Sequence, residues 1–331
     1  MNGKQEQDRL RRAVPLAMAL SLLALTAMPV SAIFGAGGEK TETADEGAPI
    51  AQSMEVRAYR GIPYTGTLSA IDREGDEVSY VLLTEPKKGT LAIDEDTFVY
   101  TAGKNKSGTD RFTYAAVDTA GNTSAGAEVR IVIERVRSGV TYDDMVDSAA
   151  YTAAVDLAER GVFVGAQVGE KRFFEPERTV SRAEFVTMAL AAAGISAEDA
   201  TRTGFCDDAD IPAWARGSAV SALQCGLIRG VQTEEGVAFC ASSGITLSEA
   251  ASVLNRLLRV TDVDLTDAPA VGAAAWSAQA VANLESVRVI ESGSFGAEAF
   301  SRPLTRGEAA QLLSAAMTLA EKKQADAGLF Q

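Results

Sequence analysis

The chain has 331 residues and a formal net charge of −14 at pH 7, from 31 Lys and Arg against 45 Asp and Glu. Nucleic-acid binding needs a basic surface to meet the phosphates, so this balance argues against a nucleic-acid partner. The absence of histidine removes the most common general base and metal ligand from consideration. The length is sufficient for two or three domains.

Residues 1–32 have the pattern of an export signal. Arginines within residues 9–12 precede an apolar run over residues 14–28, and small residues suited to signal peptidase end at Ala32. The alternative is an uncleaved membrane anchor, for which the run is marginal in length. Cleavage would leave the mature protein outside the membrane. Residues 33–48 are rich in Gly, Glu, Thr and Ala without periodicity, which indicates a flexible linker.

From residue 49 to residue 136 the apolar pattern changes to a period of two, which is typical of half-buried strands. We predict seven short strands, at residues 53–59, 64–70, 77–83, 89–93, 97–101, 112–114 and 129–133. Gly, Pro, Asn and Asp separate them, which favours an antiparallel β-sandwich. The strings D-R-E-G-D-E-V-S-Y and S-G-T-D-R-F-T-Y-A-A-V-D resemble bacterial cadherin-like or immunoglobulin-like repeats.

Four aspartates near the predicted strand ends carry oxygens that calcium could use: Asp72, Asp76, Asp110 and Asp118. Calcium needs about six to eight oxygen ligands, and the sequence contains no dense D-x-D-x-D loop. Aspartate is also a common turn residue, because its carboxylate accepts hydrogen bonds from nearby backbone N–H groups. We therefore predict no metal and no cofactor, with calcium at these aspartates as the alternative.

The C-terminal half repeats one helix-start motif three times, a Ser or Thr followed three residues later by Glu. The copies are Ser181–Glu184, Thr246–Glu249 and Thr305–Glu308. Each is a capping box, in which the hydroxyl accepts from a backbone N–H of the first turn and the Glu reaches back to the cap. The spacing between copies is about 60 residues, a period that indicates a repeat architecture.

The repeat extends upstream of each box. Every copy has an apolar residue two before an aspartate, then a tryptophan position, then two small-residue positions four apart. The aligned residues are Tyr142–Asp144, Phe205–Asp207 and Leu265–Asp267; Ala149, Trp214 and Trp276; Gly161, Gly226 and Arg288; and Gly165, Gly230 and Ser292.

The combined string resembles the S-layer homology family of bacterial cell-wall-binding modules, whose hallmark is F-x-D…W…G-I-x-x-G…I-T-R-A-E. The family's usual functional set is three tandem copies. The resemblance implies an all-α, pseudo-threefold helical module with a shared core, in repeats at residues 137–200, 201–260 and 261–320. Residues 321–331 are expected to be a polar, frayed tail. The fold class is therefore multidomain, an all-β antiparallel sandwich followed by this module.

An arginine directly follows the cap in two copies, at Arg182 and Arg306. A guanidinium beside the positive end of a helix forms an anion site, and Arg offers two parallel donors to a carboxylate. We expect both side chains to be exposed and available to a ligand. The second copy has Leu247 at this position, so a groove that depends on it is expected to be weak.

The resemblance implies a specific ligand, a secondary cell-wall polysaccharide with pyruvylated amino sugars. Its carboxylate would meet Arg182 or Arg306; Trp214 or Trp276 would stack on a sugar ring; Gly226 and Gly230 would allow close backbone approach; and Asp207 or Asp267 would accept from sugar hydroxyls. Local alternatives are that the tryptophans anchor the core and that the aspartates cap the first helix of each repeat. Glu184, Glu249 and Glu308 are interpreted as helix caps and not as catalytic acids.

The three cysteines, Cys206, Cys225 and Cys240, all lie in the second repeat. They allow at most one disulfide within the chain, and the sequence does not select among the three pairings. Their spacing without histidine matches no common zinc pattern.

The predicted function is non-covalent anchoring of an exported protein at the cell surface. The partner is an acidic polysaccharide attached to peptidoglycan, and lateral contacts within a surface layer are a further possibility. The patterned acidic residues have cap or turn roles, and the sequence has no P-loop and no G-x-S-x-G motif, so we expect no enzyme. The alternative is an adhesin or structural envelope protein whose sandwich binds a partner while the helical repeats only pack.

Overall fold

The computed structural model of the protein describes residues 47–146, 148–266, 272–291 and 294–328. The predicted export signal and almost all of the predicted linker lie outside these residues, as does Asp267. No helix within the described ranges is long and apolar enough to cross a membrane.

The N-terminal part is a β-sandwich. Its strands are β1 Ile50–Ala51, β2 Met54–Tyr59, β3 Pro63–Thr67, β4 Ala70–Ile71, β5 Val78–Thr84, β6 Gly89–Asp94, β7 Thr97–Ala102, β8 Gly108–Asp118 and β9 Ala127–Glu134. They form a four-stranded sheet in the order β2-β9-β8-β5, a three-stranded sheet in the order β3-β7-β6, and a short β1-β4 pair. Alternate residues from both larger sheets fill one apolar core, including Phe98, Phe112 and Ile131.

The prediction of a purely antiparallel sandwich is wrong for one strand pair. Strand β2 runs parallel to β9, from Met54 opposite Val129 to Tyr59 opposite Glu134. The alternation of apolar residues fixes which face of a strand is buried, but it is the same for either strand direction. Since no tight turn joins these two strands, nothing local forces them to be antiparallel.

The described residues of the C-terminal part form six α-helices and two short hairpins. The helices are α1 Tyr151–Glu159, α2 Arg182–Ala192, α3 Ala213–Gln224, α4 Leu247–Leu258, α5 Ala278–Ser286 and α6 Arg306–Gly328; the hairpins pair β10 Ala166–Val168 with β11 Lys171–Phe173 and β12 Val231–Thr233 with β13 Gly236–Ala238. Helix α2 packs on α3, α4 on α5, and α6 on α1. Each repeat therefore packs its second helix on the first helix of the next repeat, and α6 closes the ring on α1.

Three backbone hydrogen bonds join the segments that enter the second helices. Val180 N donates to Leu304 O at 3.0 Å, Leu304 N donates to Ile245 O at 2.7 Å, and Ile245 N donates to Val180 O at 3.0 Å. The three bonds close a cycle, and all three side chains are buried. This pseudo-threefold junction holds the starts of α2, α4 and α6 together at the centre of one continuous core.

All three capping boxes form reciprocal hydrogen bonds. Ser181 Oγ accepts from Glu184 N at 3.2 Å while Glu184 accepts from Ser181 N at 2.9 Å; the Thr246 and Glu249 bonds are 3.3 and 3.0 Å; and the Thr305 and Glu308 bonds are 3.2 and 2.8 Å. These bonds satisfy first-turn N–H groups that have no partner within a helix.

The expectation of a frayed tail after residue 320 is wrong for residues 321–328, which continue α6. Glu321 bonds with Arg160, and it also accepts from Arg57 Nη2 of the sandwich at 3.0 Å. Lys323 Nζ donates to Leu258 O at 3.0 Å, which joins the end of α6 to the end of α4. These contacts order the helix where composition alone indicated fraying.

The sandwich packs directly on α1 and α6 through a buried carboxylate. Asp156 of α1 accepts from Arg57 Nη1 at 3.2 Å, Tyr59 Oη at 3.1 Å, Arg160 Nε at 3.0 Å and Ser314 Oγ at 2.7 Å. A buried charge is tolerated only when it is paired and hydrogen-bonded, and these four donors meet that condition.

We expect Asp156→Asn to lower the free energy of unfolding by about 2–4 kcal/mol, because it leaves two arginines without their shared buried partner. The matched control is Glu128→Gln, which breaks the exposed pair with Arg111 and should cost less than about 1 kcal/mol. Urea unfolding of the intact chain measures both values, and equal losses would contradict the role given to Asp156.

Candidate functional site

A groove lies between the N-terminal ends of α2 and α3 and contains about 340 Å³. We call it the Trp214 groove, and its lining residues are Arg178, Thr179, Ser181, Ala183, Glu184, Pro212, Trp214, Ala241, Ser242 and Gly244. Because α2 belongs to the first repeat and α3 to the second, the groove is composite. The pseudo-threefold junction creates it by placing the start of one repeat's second helix beside the start of the next repeat's first helix.

Both tryptophans are exposed, so the alternative that they anchor the core is not realised. Trp214 is 58% exposed and Trp276 is 64% exposed. Helix α3 begins after Pro212, which has the extended ψ of 142° expected of a residue just outside a helix. Trp214 therefore lies in the first turn, on the wall of the groove. A flat, exposed aromatic face of this kind can pack against the apolar face of a sugar ring.

The cation of the Trp214 groove is Arg178, which the sequence reasoning missed. Its half-exposed side chain donates from Nη2 to Glu184 Oε1 at 2.8 Å. The third repeat has the equivalent pair, since Arg302 contacts both carboxylate oxygens of Glu308 at 2.7 and 2.9 Å. The sequence does contain a signal for this ion pair, because an arginine lies six residues before the capping glutamate in two of the three copies.

The ion pair between Arg302 and Glu308 changes the electrostatics of the third cap. Burial alone would raise the pKa of Glu308, but the hydrogen bonds from Arg302 and from the Thr305 backbone outweigh it, so the pKa lies below the ordinary 4.5. The same contacts raise the pKa of Arg302. The charged form of the cap is therefore favoured down to acidic pH.

The expectation that Arg182 and Arg306 are exposed is wrong, because they are only 8% and 5% exposed. Arg182 donates from Nη1 to Glu249 at 3.0 Å, and its guanidinium carbon lies 5.9 Å from the ring centroid of Phe239. It thereby joins the first repeat to the capping box of the second.

Arg306 is held by the first repeat in the same way. Its Nη1 donates to Phe174 O at 2.6 Å and to Glu175 at 3.0 Å, and its guanidinium carbon lies 5.0 Å from the centroid of Phe163. Leu247, at the same position of the second repeat, is fully buried. The residue after the cap is therefore a packing position in all three copies.

The repeated aspartates that the structure describes, Asp144 and Asp207, cap no α-helix, and Asp207 does not line the Trp214 groove. Asp207 accepts from Phe239 N at 2.8 Å and from Cys240 N at 2.7 Å. Asp144 makes the equivalent bonds to Phe174 N and Glu175 N at 2.9 and 2.7 Å. Each carboxylate thus fixes the chain after a hairpin, at a residue with positive φ. Helices α1 and α3 begin without a side-chain cap.

The glycines have backbone roles. Gly226 stands just after α3 with φ of 71°, and Leu227 N donates back to Ala222 O at 2.8 Å, which is a left-handed helix stop. Gly230 has φ of 76°, and a Cβ there would collide with Val237 of the hairpin and lie 2.8 Å from Ala238 O. Close packing requires Gly230, and neither glycine lines the Trp214 groove.

The other two positions around the ring have incomplete versions of the Trp214 groove. At α6 and α1, Ala149 stands where the tryptophan belongs, although Arg302 is present. A depression just before α1 is lined by Asp143, Asp144, Val146, Ser148, Pro176 and Glu177, and neither Arg302 nor any residue of α6 is among them. At α4 and α5, Trp276 is present but Ser243 replaces the arginine. Only the position between α2 and α3 combines an exposed tryptophan with a half-exposed arginine in the described residues.

Three of the four calcium candidates, Asp72, Asp110 and Asp118, have carboxylates that accept hydrogen bonds from neighbouring groups. Asp72 accepts from Glu74 N and from Asp76 N in its own turn, at 2.9 and 3.1 Å. Asp118 accepts from Asn122 N and Asn122 Nδ2 at 2.8 Å each. Buried Asp110 accepts from two backbone N–H groups and from Tyr100 Oη. The described residues contain no cluster of three metal-ligating side chains.

The three cysteines are all free thiols in the structure. Cys206 and Cys225 are exposed, and burial raises the pKa of the Cys240 thiol, with nearby Asp207 acting in the same direction. A raised thiol pKa lowers the thiolate fraction, so Cys240 is not poised as a nucleophile.

Comparison with known proteins identifies one domain. A family model described as a bacterial Ig domain matches residues 46–132, which confirms the immunoglobulin-like prediction for the sandwich. No S-layer homology repeat is identified in this comparison, and no curated protein matches the chain.

Solved structures match at low similarity. An endo-fucoidan hydrolase of glycoside hydrolase family 107 is 19% identical, with a TM-score of 0.25, and the match covers 30% of this chain and 16% of the hydrolase. The sialic acid binding region of a Streptococcus sanguinis adhesin is 20% identical over 29% of this chain and 31% of its own, with a TM-score of 0.21. The SrpA adhesin from the same organism is 16% identical over 29% and 61%, with a TM-score of 0.22.

We expect Arg182→Ala to lower the free energy of unfolding by about 1.5–3 kcal/mol, because it removes a buried charged hydrogen bond to Glu249. The control is Arg178→Ala, whose pair with Glu184 is half-exposed and should contribute less than about 1 kcal/mol. Thermal and urea unfolding of the two variants measures the contrast. A larger loss in the Arg178 variant would contradict the assignment of Arg182 to the structural interface.

The lowered pKa of Glu308 has a consequence for stability against pH. Because the folded pKa lies below the unfolded value, this carboxylate's stabilisation is present above about pH 4.5 and is lost as pH falls through the folded pKa. We expect Glu308→Gln to lower stability at pH 7 and to make the loss between about pH 5 and pH 3 shallower than in the native chain. Urea midpoints across this range measure the slope, and an unchanged slope would contradict it.

Proposed function

We propose that this protein is held at the bacterial cell surface by its helical part, which binds an acidic wall polysaccharide in the Trp214 groove. The observation that carries the proposal is the juxtaposition of Trp214 with Arg178 at the start of a capped helix. The match of the sandwich to a bacterial Ig domain supports the more general statement that this is a surface protein. The role is binding, and no catalytic step is assigned to it.

The groove has the chemistry for an anionic sugar. The exposed face of Trp214 supplies apolar contact area for a sugar ring. Arg178 uses one N–H for Glu184, and its remaining donors can bind a ligand carboxylate. Ser181 and Ser242 line the same groove and can exchange hydrogen bonds with sugar hydroxyls.

Wall polysaccharide is the favoured ligand because the one complete groove and its two incomplete copies follow the repeat pattern that resembles S-layer homology modules. The repeats keep their capping boxes but differ in their groove residues, so the Trp214 groove is the strong site. The grooves with Trp276 alone and with Arg302 alone are weak sites.

We expect Trp214→Ala and Arg178→Ala each to weaken binding to purified wall sacculi about tenfold, a loss of about 1.4 kcal/mol. Trp276→Ala and Arg302→Ala are controls of the same residue types in the incomplete grooves, and they should weaken binding less than about threefold. Co-sedimentation of the intact chain at increasing sacculus concentration gives the four affinities. The intact chain is needed because Tyr59 and Ile62 of the sandwich belong to the helical core.

Two outcomes would contradict the proposal. If the native chain does not sediment with sacculi, wall anchoring is wrong. If it sediments but the Trp214 and Arg178 variants bind like the native chain, the groove is not the site, and the adhesin alternative, in which the sandwich binds the partner, is favoured.

A further inference from the structure

Four of the nine lysines of the chain lie at one end of the β-sandwich. Two are in the loop between β5 and β6, and two are in the loop between β7 and β8: Lys87, Lys88, Lys104 and Lys106. We call the surface formed by residues 85–88 and 103–107 the lysine end. Arg135 adds a cation beside it, two residues beyond Ile133, which pairs with Gly108 just after the second loop. This end is therefore basic, in a chain whose net charge is −14.

The other end of the same sandwich is acidic. The loop between β4 and β5 and the turn between β6 and β7 contain six carboxylates and one arginine, Arg73. The carboxylates are those of Asp72, Glu74, Asp76, Glu77, Glu95 and Asp96. The sandwich therefore has opposite charges at its two ends, and of the two it is the lysine end that attracts an anion.

Hydrogen bonds hold the two lysine-bearing loops against each other. Gly103 N donates to Lys88 O at 2.9 Å, and Lys88 Nζ donates to Ser107 O at 2.9 Å. Buried Asp110 accepts from Lys87 N at 2.9 Å and from Lys88 N at 2.7 Å, which fixes the turn that presents both lysines. The two loops are thus held in place before a ligand binds, which lowers the entropic cost of binding.

The charges of the lysine end are not neutralised by neighbouring carboxylates. In the part of the chain that the structure describes, none of the four lysines has a carboxylate within ion-pair distance. Glu85 is the one exposed carboxylate in the two loops, so four positive charges and one negative charge give the lysine end a net charge of +3. The nearby Asp110 is 5% exposed, and its carboxylate is occupied by two backbone N–H groups and Tyr100 Oη. Like charges held close together repel, and a bound anion relieves that repulsion.

We propose that the lysine end binds a linear polysaccharide whose repeating units carry carboxylate or phosphate groups. A lysine is a point charge on a flexible stem, so four lysines spread over two loops suit several anions spaced along a polymer better than one anion held in a fixed geometry. Each contact displaces a counterion from the polymer, which favours binding at low salt. The rest of the chain is acidic and repels such a polymer, which confines the contact to this end.

Two other anionic partners fit the lysine end less well. Residues 85–88 and 103–107 have the sequences EPKK and GKNKS, without the aromatic or large aliphatic side chains that enter a membrane interface. A net charge of −14 opposes the close approach of DNA or RNA, in which every nucleotide carries a phosphate.

The lysine end is also separate from the Trp214 groove, because none of its residues lines that groove. The two sites differ in chemistry as well, since the groove combines an aromatic face with an arginine and the lysine end has charge alone. The inference therefore does not depend on the proposed function.

The first test measures polymer binding by the intact chain carrying Trp214→Ala and Arg178→Ala, so that the Trp214 groove does not contribute. Polygalacturonate supplies sugar carboxylates, dextran phosphate supplies sugar phosphates, and neutral dextran is the uncharged control. We expect binding to at least one anionic polymer at low salt, and the one that binds more tightly identifies the preferred anionic group. Adding Lys104→Gln/Lys106→Gln should weaken this binding about tenfold, a loss of about 1.4 kcal/mol.

The matched control for the lysine pair is Arg73→Gln/Lys171→Gln. It removes the same charge from two exposed residues outside the lysine end, neither of which has an ion pair in the described residues. We expect it to change the affinity less than about threefold. Thermal melts establish that both variants are folded.

The second test uses salt and a variant that gains affinity, which a folding defect does not imitate. The slope of log affinity against log salt concentration should become shallower by about 0.7 for each lysine removed, or about 1.4 for the lysine pair. Glu85→Gln removes the one exposed carboxylate of the lysine end and should strengthen binding about twofold. Glu77→Gln, at the acidic end of the sandwich, is its control and should leave the affinity unchanged.

Four results would overturn the proposal. They are no binding to either anionic polymer, equal losses in the lysine variant and its control, equal retention on neutral dextran, and equal or tighter binding to DNA or to vesicles of anionic phospholipid. The effect of Trp214→Ala on sacculus binding concerns the groove alone, so this proposal and the proposed function can fail separately.

Discussion

The closed cycle of backbone bonds among Val180, Ile245 and Leu304 is the constraint from which the helical part follows. It fixes three helix starts around one centre, because each segment donates to one neighbour and accepts from the other. The residue after each cap is then turned toward the next repeat and becomes buried. The first helix of that next repeat starts beside the cap and leaves its first turn, with Trp214, facing solvent. The pseudo-threefold junction therefore accounts both for the burial of the residues after the caps and for the position of the Trp214 groove.

Local sequence patterns were sufficient to predict the helix starts, but they were not sufficient to predict the contacts between repeats. The spacing of Ser181 and Glu184 specifies hydrogen bonds within four residues, so the boxes could be read directly from the sequence. Arg182 appeared to be a ligand contact because its partner, Glu249, is 67 residues away and its burial depends on the cyclic arrangement. Arg178 was missed because the second repeat has Ser243 at the equivalent position, so the arginine does not recur in all three copies.

One departure of the third repeat from the pattern, at Arg288, has a structural explanation. Arg288 follows α5 at the position that Gly226 has after α3, and it still has a left-handed φ of 57°. A non-glycine residue in this region costs about 1 kcal/mol. In return, Arg288 Nη2 donates to Ser69 Oγ of the sandwich at 3.1 Å. The substitution that weakens the repeat pattern thus forms part of the contact between the two domains.

The contact between the two domains fixes the orientation of the sandwich relative to the helical part. A module joined by a flexible linker would reorient freely, but here Asp156 ties strand β2 to α1 and α6 through Arg57 and Tyr59. The edge of the sheet that docks is the one with charged residues, and the opposite edge, β5, is the uncharged one. Docking therefore fixes the direction in which β5 faces relative to the Trp214 groove. The sandwich is therefore presented in an orientation set by the helical part, and not by the length of a linker.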